Sequence, residues 1–279
     1  MVSMNRLPRD RQIAVVAALV EGMSIRATVR MIGVAKNTVT NLLVDLGRAC
    51  EAYQMEKLVN LPCKRLQCDE IWSFVGAKQK NVPIDKQGQW GIGDVWTWTA
   101  ICADTKLIPS WLVADRSAQA ARRFVTDLAG RLASRVQVTS DGLKLYVDAV
   151  EQAFGDDVDF AQLVKHYGRE NAPENHRYSP AVCTGAEKVI RMGSPDVKHI
   201  ATSYVERSNL TMRMSMRRFT RLTNAFSKKA ENHACAVALH FMHYNFARIH
   251  QTLRVTPAMA AGVTDHAWEI GEIVDLLSN

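Results

Sequence analysis

A mixed α/β fold led by a small all-helical module is the class that this 279-residue sequence predicts, and three observations carry it. Residues 10–50 repeat apolar side chains every three or four positions, the period of a helix. From residue 61 the pattern turns to short runs rich in β-branched and aromatic side chains, the composition of strands. Beyond residue 117 helical and strand-like runs alternate, the order of a sheet with mixed pairing and helices packed on it.

Three helices are expected first. In 11–21, Ile13, Val16, Ala17 and Val20 share a face, and Gly22 stops the helix. Ser24 is a good N-cap for 25–32, with Ile25, Val29 and Ile32 facing inward. After the turn Gly33-Val34-Ala35, a third helix over 36–50 buries Val39, Leu42, Leu43 and Leu46. Strands follow at 66–75, 95–102 (VWTWTAIC) and 107–113, then a helix over 117–133. A strand over 136–140 ends at Asp141-Gly142, with a helix to about residue 154 behind it. A fifth strand is expected over 160–167, and a long helix from about Ser203 closes the unit.

Composition excludes several classes. With 47% hydrophobic and 23% charged residues the chain can build a core, so wholesale disorder is ruled out. No apolar run approaches the roughly 18–20 residues of a membrane span. The N-terminus lacks an apolar stretch ahead of a cleavage site, so a cytoplasmic protein is expected. Six cysteines (Cys50, Cys63, Cys68, Cys102, Cys183, Cys235) are scattered irregularly, which fits reduced thiols better than a disulfide framework.

The net charge of +7 is segregated. Residues 1–68 carry ten basic and five acidic side chains, and residues 207–229 carry seven basic and no acidic ones. Both flank an acidic middle. This points to a polyanion held against a carboxylate-bearing site, with an ordinary solvated surface as the plain alternative.

Helix, short Gly-containing turn, helix is the layout of a helix-turn-helix, whose second helix enters the major groove of DNA. Lys36, Asn37, Thr38 and Asn41 would then meet bases and phosphates, with Arg26 and Arg30 nearer the backbone. Residues 24–43 resemble such segments, but Val29 stands where a small residue is usual and Ala35 where a capping Ser is usual. A plain three-helix bundle is the alternative.

Three carboxylates occupy suggestive places: Asp69 in the first strand, Asp141 ending the fourth, and Glu206 opening the last helix. Clustered carboxylates repel unless hard cations sit between them, and Mg²⁺ or Mn²⁺ prefers oxygen ligands. Taken singly, each is an ordinary cap or surface residue. Beyond Glu206, a helix would carry Asn209, Leu210, Arg213 and Arg217 down one face. Arg213 and Arg217 can then hold phosphate beside the carboxylates, within a basic stretch that also contains Arg207 and Arg218.

The local sequences sharpen this. The run CDEIWSFVGAK from Cys68 closely resembles the first-aspartate motif of insertion-sequence-1 family transposases. DGLKLY from Asp141 resembles that family's second-aspartate motif. ERSNLTMR from Glu206, with RFTRLTNAFSK from Arg218, resembles the block around its glutamate. The resemblance spans about residues 63–230. It implies a ribonuclease-H-like catalytic domain of the Asp-Asp-Glu type in which Asp69, Asp141 and Glu206 are the catalytic metal ligands. It also implies Mg²⁺, with Mn²⁺ able to substitute, and double-stranded DNA as partner, both element ends and target. A homo-oligomer on DNA, no membrane, and a cytoplasmic, nucleoid-associated protein of a bacterial mobile element complete the expectation. The domains expected are 1–60 for DNA binding, 61–230 for catalysis and 231–279 as a helical extension packed on the catalytic part. A non-catalytic DNA-binding regulator on the same scaffold, or a nuclease without strand transfer, are the rival functions.

Two departures from the family pattern stand out. Its N-terminal zinc-finger spacing is missing, and Cys63 and Cys68 read as small buried hydrophobes. Residues 168–200 form a polar, Pro- and Gly-bearing insertion, expected as a hairpin or loop over the site. The stretch YNFARIHQTL from Tyr244 looks like the end of integrase-type catalytic domains, which makes Arg248 and His250 weak DNA-contact candidates.

Overall fold

The computed structural model describes residues 7–168, 182–220 and 224–278. Its centre is a six-stranded sheet in the order β3-β2-β1-β4-β5-β6, with β1 at Arg65–Val75, β2 at Gly93–Cys102, β3 at Ser110–Ala114, β4 at Val136–Asp141, β5 at Val158–Gly168 and β6 at Val182–Met192. Antiparallel β1–β2 and β2–β3 pairs form a meander. The β1–β4 and β4–β5 pairs are parallel, linked by helices α4 (Ala118–Ala129) and α5 (Leu145–Phe154). This is the expected mixed sheet with flanking helices.

Helices α1 (Arg9–Val20), α2 (Ile25–Ile32) and α3 (Lys36–Lys57) precede it. Ser24 caps α2, its hydroxyl accepting from the Ala27 N–H at 3.1 Å. Gly33 closes α2 at φ +69°, where a glycine costs nothing. The expected stripe of α3 is buried, but the helix runs on past residue 50 to Lys57 because Cys50 and Gln54 are buried against α7 (Ala230–Met242) and the chain after it. Gly47 lets α3 and α7 touch: a Cβ there would lie 2.4 Å from the Cys235 carbonyl oxygen. The inward face of α1 is rotated from the expected one. Val15 and Gln12 are buried where Ile13 and Ala17 were expected, and the Gln12 amide is satisfied by the Leu7 carbonyl at 2.6 Å.

Buried residues of the N-terminal helices, the sheet and α7 form one contiguous apolar cluster. A buried amide pair ties its layers together. Asn245 Nδ2 donates to Ile108 O and to Gln54 Oε1, and its Oδ1 accepts from Ile108 N. Gln54 Nε2 donates to Ala238 O. Such bonds hold because a buried amide left unpaired is costly.

Other elements depart from expectation too. The third strand begins at Ser110 because Leu107 turns back, its carbonyl taking the Cys102 N–H. Helix α4 stops at Ala129, ahead of Gly130, and Leu132 instead bridges to Leu61. The 168–200 insertion contributes β6, an edge strand antiparallel to β5; residues 169–181 of that insertion lie outside the described set. No helix among the described residues is long and apolar enough to cross a membrane.

Candidate active site and nucleic-acid interface

Parallel pairing of β1 with β4 sets Cys68 opposite Ser140, so the next residue of each strand, Asp69 and Asp141, emerges side by side. Carboxylate oxygens of Asp69, Glu70 and Asp141 all lie within 4.8 Å of one another. Burial, and then the neighbouring Asp141 and Glu70 charges, push the Asp69 pKa up to about 7. The same forces raise Glu70 and Asp141. The cluster is thus short of positive charge.

Each carboxylate is held differently. Asp69 Oδ2 accepts from Asn209 Nδ2 at 2.8 Å. Asp141 Oδ1 caps its own turn, accepting from Leu143 N at 3.0 Å. Glu70 Oε1 accepts from Arg116 Nε at 2.8 Å and Glu70 Oε2 from Tyr146 Oη at 3.3 Å. Arg116 in turn lies over the Trp96 ring, 4.6 Å from its centroid. Arg116 therefore pairs with Glu70, and its charge and that of Lys165 offset only part of the rise at Asp141.

Two buried glutamines place the surrounding backbone. Gln67 Oε1 accepts from Tyr204 N and Val205 N at 2.8 and 3.2 Å, docking the first turn of α6 (Ser203–Ser215) onto β1. Gln162 Nε2 donates to Asp141 O and Leu143 O at 2.8 and 3.0 Å, fixing the turn that carries Asp141. Glu206 sits in that first turn of α6, its carboxylate bonded to Lys165 Nζ and to Thr202 Oγ1. It lies outside the three-carboxylate group yet close enough for its charge to raise Asp69 and Asp141.

The donor set fits hard cations: carboxylate oxygens whose mutual repulsion an ion would remove, beside Asn209 Oδ1, a buried acceptor with no hydrogen bond among the described residues. Asp69, Asp141 and Glu206 are the residues expected to hold Mg²⁺; Glu70 was not anticipated. Its one sequence signal is that it adjoins Asp69.

The expected DNA-contacting residues divide. Lys36, Asn37 and Asn41 line a groove of about 950 Å³ together with Arg217, Lys228 and Lys229. The two basic stretches, remote in sequence, thus face one channel. Thr38 is half-buried and lies outside the groove lining. Arg207 is exposed on α6, and Arg213 Nη1 donates to Phe219 O at 3.4 Å. Arg217 does not share the α6 face: the helix ends at Ser215 and Met216 is extended.

Arg218 also lines the groove, but its guanidinium is committed inward, and burial lowers its pKa to about 10. Its Nη1 donates to Asn232 O and Ser227 Oγ at 2.8 and 3.1 Å. Ser227 Oγ lies 2.8 Å from His233 Nδ1, His233 Nε2 lies 3.1 Å from Ser73 Oγ, and Ser73 Oγ donates to Val95 O. Arginine can only donate and a carbonyl can only accept, so the chain has one polarity and His233 is neutral with its proton on Nε2. Burial, then the Arg218 charge, depress its pKa to about 3. Burial likewise lowers His240 to about 3.

A pH dependence follows. The unfolded chain takes up protons at about pH 6.5, the folded histidines only near 3, so their stabilisation is complete above 6.5 and falls below it. Each contributes a loss of about 1.4 kcal/mol per pH unit within that window. His233→Gln, which can still bridge both serines, is expected to remove this contribution. Urea denaturation at pH 7 and pH 5 checks it, read as the difference between wild type and variant because the raised carboxylates act with the opposite sign. Equal pH slopes in the two proteins would refute the neutral relay.

No protein-family profile matches the chain, and no curated protein matches it. Among solved structures it is similar to piggyBac transposase in a synaptic complex with hairpin DNA, at 14% identity and a TM-score of 0.38, over 96% of this chain and 69% of that one. It is also similar to Mos1 transposase in a strand transfer complex, at 14% identity and a TM-score of 0.23, over 55% of this chain and 58% of that one. A Mos1 paired-end complex with the left transposon end gives 13% identity and a TM-score of 0.21, over 53% and 57%. At such scores no residue of those proteins is carried over to this chain.

Proposed function

We propose that this protein is a DNA transposase of a bacterial insertion sequence, of the insertion-sequence-1 type, that hydrolyses phosphodiesters at the element ends and joins the resulting 3′-hydroxyl to target DNA. The observation that carries the reading is the pairing of Asp69 with Asp141 on adjacent parallel strands, both raised by burial and neighbouring carboxylates, with a basic groove lined by the residues that follow α6. The three motifs that resemble that family fall at these positions.

Asp69, Asp141 and Glu206 would hold Mg²⁺, or Mn²⁺ in its place, which when bound activates a water or 3′-hydroxyl and stabilises the leaving oxygen. Asn209 orients Asp69, Gln162 fixes the Asp141 turn, and Gln67 seats the helix that carries Glu206. Lys165 and Thr202 keep the Glu206 carboxylate at the rim of the cluster. The groove residues Lys36, Asn37, Asn41 and Arg217 are assigned to the duplex, and the barrier falls through positioning and charge stabilisation without a covalent protein intermediate.

Purified protein with Mg²⁺ and labelled DNA carrying the flanks of its own gene tests this directly. Nicked and joined products are expected. Nicking without joining would support a nuclease, and binding without cleavage a regulator. Lys36→Ala and Asn41→Ala are expected to weaken end binding by about 1–3 kcal/mol each for a base contact, with cleavage chemistry retained. Unchanged end binding in both variants, measured by gel shift at fixed salt, would remove the groove from the DNA path.

A further inference from the structure

We propose that a basin on the flank of α6, lined by Lys106, Arg207, Arg248 and His250, is a binding site for a backbone phosphate of DNA, separate from both the carboxylate cluster and the basic groove. The inference rests on the DNA-processing reading above and adds a second contact to it. The basin has a volume of about 340 Å³, and among the described residues no carboxylate lines it. Its four basic side chains come from three separate places: the β2–β3 turn, α6 and the segment after α7. Arg207 follows Glu206 by one residue, so the basin faces about 100° away from the carboxylates around the helix axis.

The groups are set for an anion. Lys106 takes φ +60°, a left-handed conformation that glycine or asparagine adopts more cheaply, and strain of this kind gathers at functional sites. Its ammonium lies 3.6 Å from the centroid of the Tyr204 ring, which holds it at the basin wall without neutralising it. His250 is fixed by its backbone N–H to Val255 O at 2.9 Å and by Thr252 Oγ1 at 3.0 Å from its Nδ1. Burial, then the nearby Lys106 and Arg248 charges, lower the His250 pKa, which places these two cations close to the ring, and no carboxylate is among the residues described around the basin. Like charges brought together repel, and a phosphate relieves the repulsion while a guanidinium fork matches its oxygens.

The test uses the full chain and a duplex of arbitrary sequence. Lys106→Asn keeps the left-handed backbone while removing the charge, and Arg248→Gln removes the second. The double variant is expected to bind roughly tenfold more weakly and to lower the slope of log affinity against log salt by about 0.9, the value for one lost phosphate contact. Arg122→Gln/Arg123→Gln, which removes two charges from the exposed side of α4, is expected to leave the slope unchanged. Equal slopes for wild type and the basin variant overturn the site while leaving DNA binding itself intact. A wild-type protein with no affinity for duplex refutes the DNA reading and the site with it. Acylation of Lys106, read by mass spectrometry, is expected to be blocked by duplex. Protection by millimolar inorganic phosphate alone, and not by duplex, would overturn the assignment in favour of a free anion.

Discussion

Asp141→Asn is expected to lower metal-dependent strand cleavage by roughly a thousandfold or more, about 4 kcal/mol of transition-state stabilisation, while leaving duplex affinity within about twofold. The asparagine keeps an oxygen that can accept the Leu143 N–H, so the turn survives and only the charge is lost. The same substitution removes one of the charges that raise Asp69, so without divalent ions the variant is expected to melt above wild type. Melting in a chelator, beside nicking in Mg²⁺, reads both effects. Wild-type-like cleavage would sink the metal-ligand assignment, and an unchanged melting temperature would deny the charge repulsion. Asp69→Asn and Glu206→Gln are expected to abolish cleavage in the same way.

Trp98→Ala is expected to cost about 3–5 kcal/mol, the range for emptying a large aromatic site in a packed core. Trp98 is fully buried on β2, with ring centroids 6.1 Å from Phe124 and 5.5 Å from Tyr146, and its indole N–H donates to Asp115 O at 3.0 Å. Its loss also frees Tyr146, which donates to Glu70, so cleavage is expected to fall beyond what unfolding explains. Urea denaturation and single-turnover cleavage measure the two losses; a loss of stability below about 1 kcal/mol would show that the α4–α5 layer does not lean on this ring.

Much of this was readable before any coordinates. The cap at Ser24, the aromatic run of β2 and the Asp-Gly ending β4 are local signals, and local chemistry decided them. β6 had no such signal, because an edge strand exposed along most of its length carries no buried alternation and forms through backbone pairing with β5. The end of α6 was overrun because Met216 and Phe219 continue a plausible helical stripe; both are buried after the helix has ended, so packing and not periodicity sets its length. Gln67 and Gln162 were missed although each is a polar residue inside an apolar strand. That misfit is the one trace a buried positioning amide leaves in a sequence. The approach of Lys165 to Glu206, residues 41 apart, leaves no trace at all.

Helix α3 begins at the groove with Lys36 and, at Gly47, lies backbone to backbone against α7. Its 22 residues contain no proline, and its one glycine is the contact point itself. Mechanically it is a continuous spar, held along its first half by the buried stripe Val39, Leu42, Leu43 and Leu46 and at Gly47 by α7, with no joint between the groove and that contact. If the proposed function holds, compliance on forming a complex falls to the duplex and to side-chain rotation, and the offset between the groove and the carboxylates is fixed by the protein.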